Sequence, residues 1–544
     1  MPKRELTAVE SVRRAADALR ETVASAVSHL AEQTREHGHI STSRLDDNQP
    51  SAYQLAFLAS EATSLDLLVG ARESGHLPSA ILSRGAAEIL RSARSRLDGH
   101  ASRLGVSADA LDTNPVRDVI SYGMDAVVTD EVLTEAQSLD NIGLPDEFSM
   151  VAQEFRRFGS EVIEPHAESI HREDLDIPDE IIEGLASMGA FGLSIPEQYG
   201  GAQDDDNTDQ LGMVVATEEL SRASLGAGGS LITRPEILAR ALMSGGTEEQ
   251  KLLWLPEIAS GSKLAAVATT EPNAGSDVAA ASTAAVGHGD VYRIRGTKTW
   301  ATFAGRADLL MLLARTDTGP FTGHRGLSLF VIEKPRFSGH SFEMTQEGGG
   351  RVVGQAIPTL GYRGMHSFEI AFDDWEVPAF SLIGGDEGAG RGFYLQMEAF
   401  AAGRLQTAAR AVGVMRAGFE AAWEYAAERQ LFGRRLIDFP LTVDRLASMA
   451  SRIAAMKLFS YHVARHLTTA QGQLQASMAK ALACRAAEEI TRDAMQVFGG
   501  YGYAEEYPVS RYFVDARVLS IFEGGEEVLA LRVIARRILE EALN

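Results

Sequence analysis

Cysteine is almost absent: Cys484 is the only one in 544 residues. That excludes an intrachain disulfide and a cysteine metal cluster. No uninterrupted apolar run approaches the roughly 20 residues that cross a bilayer. The opening MPKRELTAVESVRRAADALRE is amphipathic and lacks the apolar core of a secretory signal. Positive charge is also short, with 51 Lys and Arg against 75 Asp and Glu and a formal net charge of −24. Such a field opposes nucleic acid and anionic membrane surfaces as main partners. An anionic ligand must then be held by local arginines and backbone N–H groups. No repeat period of a solenoid or propeller is present. The expected protein is cytoplasmic, without membrane insertion and without a bound metal.

What is present is ordinary globular composition, 45% apolar and 23% charged, in a chain long enough for about two to four domain-sized units. Residues 1–145 repeat apolar positions at three- and four-residue spacing, as in SAYQLAFLASEATSLDLLVGARES, and predict an N-terminal helical extension. Helical texture continues over 146–265. Between 266 and 380 it gives way to short alternating or β-rich runs separated by Gly, Pro and Asp, which predicts a middle β domain. Long helical patterns return over 381–544. The expected fold is mainly α with that β domain between helical parts.

The stretch SIFEGGEEVLALRV, 520–533, sets a carboxylate between a greasy pair and two glycines. Glu526 and Glu527 suit the first turn of a helix, where the macrodipole favours acids. Glu523 lies before the glycines and is not explained that way. TTEPNAGSD, 269–277, offers N–H and hydroxyl donors that can approach a phosphate closely, although a Gly-Ser turn alone is a weak signal. In GTKTWATFAG, Trp300 and Thr302 stand at the start of a strand-like run. A Trp ring can lie against a flat cofactor and a Thr hydroxyl can bond a ring nitrogen or oxygen; a core Trp beside a surface Thr is the plain alternative. GGDEGAGRGF lacks the βαβ frame of a dinucleotide fingerprint and reads as a loop. His166 and His171 are off the four-residue spacing that puts two ligands on one helical face. Arg434 and Arg435 read as a surface charge pair or a phosphate contact.

PEQYGG, TTEPNAGSD, GTKTWATFAG, RQLFG, FGGYGYAEEYPVSRYFVDAR and FEGG, in this order and rough spacing, resemble the acyl-CoA dehydrogenase flavoenzymes over about 146–544. The resemblance implies a helical domain, a β-barrel-like middle domain and a C-terminal four-helix bundle, with FAD as cofactor and an acyl-CoA as substrate. It would put Thr270 at the flavin edge, Ser276 on a phosphate, Trp300 over one flavin face and Thr302 near N5. Arg429, Phe432, Gln496 and Gly500 would reach the FAD of a neighbouring subunit, which implies a homo-oligomer, a dimer before a tetramer. Arg404 would contact CoA. Glu523 would be the base that removes the α-proton, with Ile521 and Phe522 desolvating it and Gly524 letting the thioester approach. Some branched-chain members carry the base one residue before the CoA arginine; here that residue is Gly403, which cannot serve. Where the family commonly has Thr after its Glu-Gly pair, this chain has Gly525.

Within the family the closer resemblance is to the branch that converts methylsuccinyl-CoA to mesaconyl-CoA and passes electrons to an electron-transfer flavoprotein. A distal carboxylate on the substrate needs a cation at the closed end of the acyl pocket. Arg234 in ITRPE is the candidate, against a surface-paired arginine at a helix start. The alternatives are dehydrogenation or oxidation of another short acyl-CoA, or a non-catalytic assembly protein.

Overall fold

The computed structural model describes residues 2–205, 209–317, 319 and 323–543. The chain forms two compact units, Met1–Gln153 with Thr407–Asn544, and Glu154–Gln406.

The first unit is helical. The helix Gln49–Glu73 buries Leu55, Leu58, Leu65 and Leu68, spaced three, seven and three residues apart on one face. Each such leucine contributes about 1.5–3 kcal/mol by leaving water. That face packs on the helices Ala470–Phe498 and Pro440–His466 and on the π-helical segment Leu529–Ala535. The N-terminal region therefore shares one core with the last hundred residues. Polar contacts reinforce the seam: buried Arg84 donates from Nη1 to Asp444 Oδ1 at 2.8 Å, and the Tyr53 hydroxyl donates to Glu526. Pro440 starts its helix, where a missing N–H costs nothing. Thr469 caps the next one by accepting the Gly472 N–H at 2.9 Å.

The second unit carries an eight-stranded sheet with helices against it. Ala265–Ala268 runs parallel to Leu309–Arg315, which pairs antiparallel with Leu327–Glu333. Ala284–His288 links this part to the 12-residue strand Val291–Thr302. Beyond it lie Ser367–Pro378, Arg351–Ile357 and Ser341–Thr345, all antiparallel. Leu309, Met311, Leu313, Leu327, Leu329 and Val331 join Trp254, Leu255 and Ile258 of the helix Glu248–Ala259 in one core. The strands covered on both faces are continuous apolar runs, whereas Arg351–Ile357 alternates buried with partly or fully exposed positions. Trp300 and Thr302 end the strand Val291–Thr302, where the sequence reading had put them at a strand start. The whole GTKTWAT segment is β because Ser367–Pro378 supplies its pairing partners, with Ser367 opposite Thr302. Among the described residues, no helix is long and apolar enough to cross a membrane.

Candidate functional site

In the first unit the helix Val509–Leu519 stops at Ser520, and a tight turn leads to the next helical segment at Glu526. Glu523 sits in that turn at φ 54 and Gly524 at φ 95. A left-handed backbone costs a non-glycine residue on the order of 1–3 kcal/mol, strain that tends to persist where it aims a functional group. A Cβ on Gly524 would come within 3.0 Å of Leu529 Cδ2, so only glycine suits the second position. The Glu523 side chain is only 4% exposed, and Arg410 Nη2 donates to its Oε1 at 3.0 Å. The fully buried Arg410 guanidinium also donates to Thr407 Oγ1 at 2.7 Å and lies 4.7 Å from the Phe522 ring centre. Lys480, itself buried, donates to the Gly524 carbonyl at 2.7 Å and clamps the turn.

This corrects one sequence expectation. Ile521 does not desolvate the carboxylate, because 56% of it faces solvent. The carboxylate is instead paired with Arg410, which escapes a local reading because it lies 113 residues away in sequence. Gly525 leads into the helix start with Glu526 and Glu527 in its first turn, as expected. Arg429, Gln496 and Gly500 are exposed, and so is Phe432, with 88% of its surface open. Arg429 stands 5.9 Å from the Tyr501 ring centre. Arg435 pairs with Asp438 at 2.8 Å, and Arg434 stacks on Phe439 at 3.8 Å, an arrangement of surface contacts.

In the second unit the turn 269–277 is built on a buried carboxylate. Glu271 accepts from the Ser282 N–H and hydroxyl at 2.8 and 2.9 Å, from the Thr283 N–H at 2.8 Å and from Lys298 Nζ at 2.7 Å. Lys298 is wholly buried and donates as well to the Thr269 carbonyl at 3.0 Å. Burial works against the Glu271 charge, yet Lys298 and the donors from Thr283 and Ser282 outweigh it and bring the carboxyl down to about 2. Sequence reading singled out neither residue, although both lie inside quoted segments. With the turn anchored, Thr270 is partly exposed and Ser276 exposed, and the Thr299 N–H donates to the Thr270 carbonyl at 2.8 Å. Trp300, at φ 58, leaves 55% of its surface open beside this turn. Thr302 is buried and shares a 3.0 Å hydrogen bond with the Ser367 hydroxyl. A large exposed aromatic face next to hydroxyl and N–H donors is a donor set that fits a flat, phosphorylated cofactor such as FAD.

Arg404 is partly buried on the long helix Gly392–Glu428, next to buried Gly403. Arg234 opens the helix Thr233–Gly245, 7% exposed, and its Nη2 donates to the Tyr362 hydroxyl at 3.3 Å. A surface-paired arginine is therefore excluded. His171 is buried, and His166 is ion-paired with Glu180 at 2.5 Å.

Three family models match the chain in sequence order: the acyl-CoA dehydrogenase N-terminal domain over 145–262, its middle domain over 266–375 and its C-terminal domain over 390–539. A (2S)-methylsuccinyl-CoA dehydrogenase of Cereibacter sphaeroides is 40% identical across 97% of this chain and 98% of its own length. Butyryl-CoA dehydrogenase of Megasphaera elsdenii superposes with a TM-score of 0.64 at 32% identity, over 72% of this chain and 97% of its own. A chain in the structure of the electron transferring flavoprotein of Acidaminococcus fermentans gives 0.65 at 32% identity, over 72% of this chain and 98% of its own.

Proposed function

The chain belongs to the acyl-CoA dehydrogenase family, and from that premise we propose that it oxidises (2S)-methylsuccinyl-CoA to mesaconyl-CoA with FAD as cofactor. It is a flavoprotein oxidoreductase acting on CH–CH donors. The substrate rests on one observation. The methylsuccinyl-CoA enzyme matches 97% of this chain, which takes in most of the N-terminal region, whereas the two solved relatives are matched almost whole by only 72% of it. Electron-transfer flavoprotein is the proposed acceptor, a reading the Acidaminococcus fermentans relative supports.

In this reading Glu523 removes the α-proton. The left-handed turn aims it, and Arg410 orients the carboxylate. Gly524 leaves the backbone bare so that the thioester can approach, and Lys480 fixes that backbone through the Gly524 carbonyl. Thr270, Ser276, Trp300 and Thr302 would hold FAD, which when bound accepts the β-hydride. Arg429, Phe432, Gln496 and Gly500 would serve a neighbouring copy's cofactor. Arg404 would bind CoA, where a guanidinium supplies charge and directed donors together. The purified protein is expected to be yellow with one non-covalent FAD per chain, and to bleach anaerobically with methylsuccinyl-CoA. A colourless protein that FAD cannot reconstitute removes the enzyme reading.

Arg234 would hold the substrate's distal carboxylate. Arg234→Ala should lower kcat/KM for methylsuccinyl-CoA relative to butyryl-CoA by about ten- to a hundredfold, the value of a charge-assisted contact of about 1.5–3 kcal/mol. The ratio matters because Arg234 is buried and its loss will also cost stability. An unchanged ratio assigns the carboxylate to another residue, and a wild type that prefers uncharged acyl-CoAs refutes the substrate.

A further inference from the structure

Three side chains that the dehydrogenation does not use converge within the second unit. Asp174 caps the C-terminal end of the helix Glu164–Glu173 at φ 55, His340 directly precedes the strand Ser341–Thr345, and His366 directly precedes Ser367–Pro378. His340 Nε2 lies 3.1 Å from Asp174 Oδ2, and His366 Nε2 lies 3.4 Å from Asp174 Oδ1. One ligand atom from each of the three falls within 4.8 Å of the other two, and the imidazole centres are 4.3 Å apart. Behind the buried His366, its Nδ1 is 3.1 Å from Asp176 Oδ1, while Asp176 Oδ2 accepts the Gly339 N–H at 2.6 Å.

We propose that Asp174, His340 and His366 bind one divalent transition ion of the zinc class, with Asp176 orienting His366 from behind. Two imidazoles and a carboxylate form the donor set such ions choose, at bond lengths of about 2.0–2.2 Å. Tetrahedral ligation at those lengths needs ligand atoms about 3.3 Å apart; the two imidazole nitrogens stand 3.1 and 3.4 Å from different oxygens of Asp174, and one ligand atom from each residue lies within 4.8 Å of the others, so the side chains would close in around an ion. A carboxylate behind a ligating histidine fixes its tautomer and strengthens it as a donor, and Asp176 stands in that place, itself anchored on the backbone. The His340 side chain is 49% exposed, which gives an ion a route in and leaves room for water as fourth ligand.

Arg363 opposes the ion, with Nε 3.7 Å from Asp174 Oδ1. Its head is occupied elsewhere: Nη1 donates to the His171 carbonyl at 2.7 Å and Nε to the Thr359 carbonyl at 3.2 Å. It therefore weakens the site without filling it. The ion would tie a helix end to the entries of two strands. One of those strands opens with Ser367, whose hydroxyl bonds Thr302. The expected role is structural, bracing the edge that carries Thr302.

The test uses the flavin-loaded full-length protein, stripped with EDTA and dialysed against zinc chloride. Wild type should retain about one zinc per chain by mass spectrometry, melt at a higher temperature with zinc than without, and show the visible bands of tetrahedral cobalt when Co2+ replaces zinc. His340→Ala alters a half-exposed residue, so the fold should survive while zinc affinity falls at least about tenfold and the cobalt bands vanish. Asp176→Asn should weaken binding by about ten- to a hundredfold, the usual cost of losing a partner behind a ligand. Failure of wild type to retain zinc overturns the proposal. So does equal retention by His340→Ala, which would put the ion elsewhere, for instance on the stacked His462 and His466.

Discussion

Glu523→Gln yields a folded, yellow protein whose flavin no longer bleaches when methylsuccinyl-CoA is added without oxygen. The substitution keeps the side chain's size and an oxygen for Arg410 to bond, and removes only the capacity to take a proton. Losing a positioned general base costs roughly 10²–10⁴ in rate. Anaerobic stopped flow reads it directly, since reduction follows proton removal. The neighbouring Glu526→Gln is the control. Glu526 is engaged with Tyr53, and Arg485 Nε lies 3.7 Å away, so it belongs to the seam between N-terminal and C-terminal helices. Its loss should lower Tm and leave flavin reduction within a few fold. Wild-type reduction in Glu523→Gln would place the base elsewhere.

Glu523 stands out in the sequence as an acid set among apolar residues and glycines where no helix end needs it, and its role as the base is what the family resemblance implies. The β region was legible for a similar reason: alternation and turn residues write strands locally. What surrounds each of these features was not. Arg410, 113 residues from Glu523, sits on a helix whose sequence offers several arginines, and nothing in its spacing separates it from Arg404 or Arg416. Glu271 and Lys298 are 27 residues apart, and their pairing follows from the register that lays the strand Val291–Thr302 beside the turn 269–277. Trp300 was assigned the wrong end of its strand because the apolar run after it is as β-like as the run before, and pairing with Ser367–Pro378 decides the matter. The cluster of Asp174, His340 and His366 spans 192 residues, with no two of the three at metal-ligand spacing in sequence. Local pattern marks the unusual side chain, and tertiary pairing supplies its electrostatics.

That electrostatic partner gives the other large effect. Arg410→Ala strips a buried carboxylate of the guanidinium 3.0 Å away and leaves a void beside Phe522. Breaking a buried pair from one side costs about 3–5 kcal/mol, so this variant should lose much of its stability. Arg410→Gln fills more of the space and can still donate to Glu523, and it separates charge from packing. Arg410→Gln should therefore slow anaerobic flavin reduction by roughly 10²-fold, the usual cost of a catalytic group held out of position. Arg410→Lys keeps the charge but loses the fork that spans Glu523 and Thr407, and should reduce its flavin faster than Arg410→Gln but slower than wild type. A role confined to packing predicts lower Tm with wild-type flavin reduction in Arg410→Gln, and that outcome would reduce Arg410 from a residue that positions the base to one that merely fills the core.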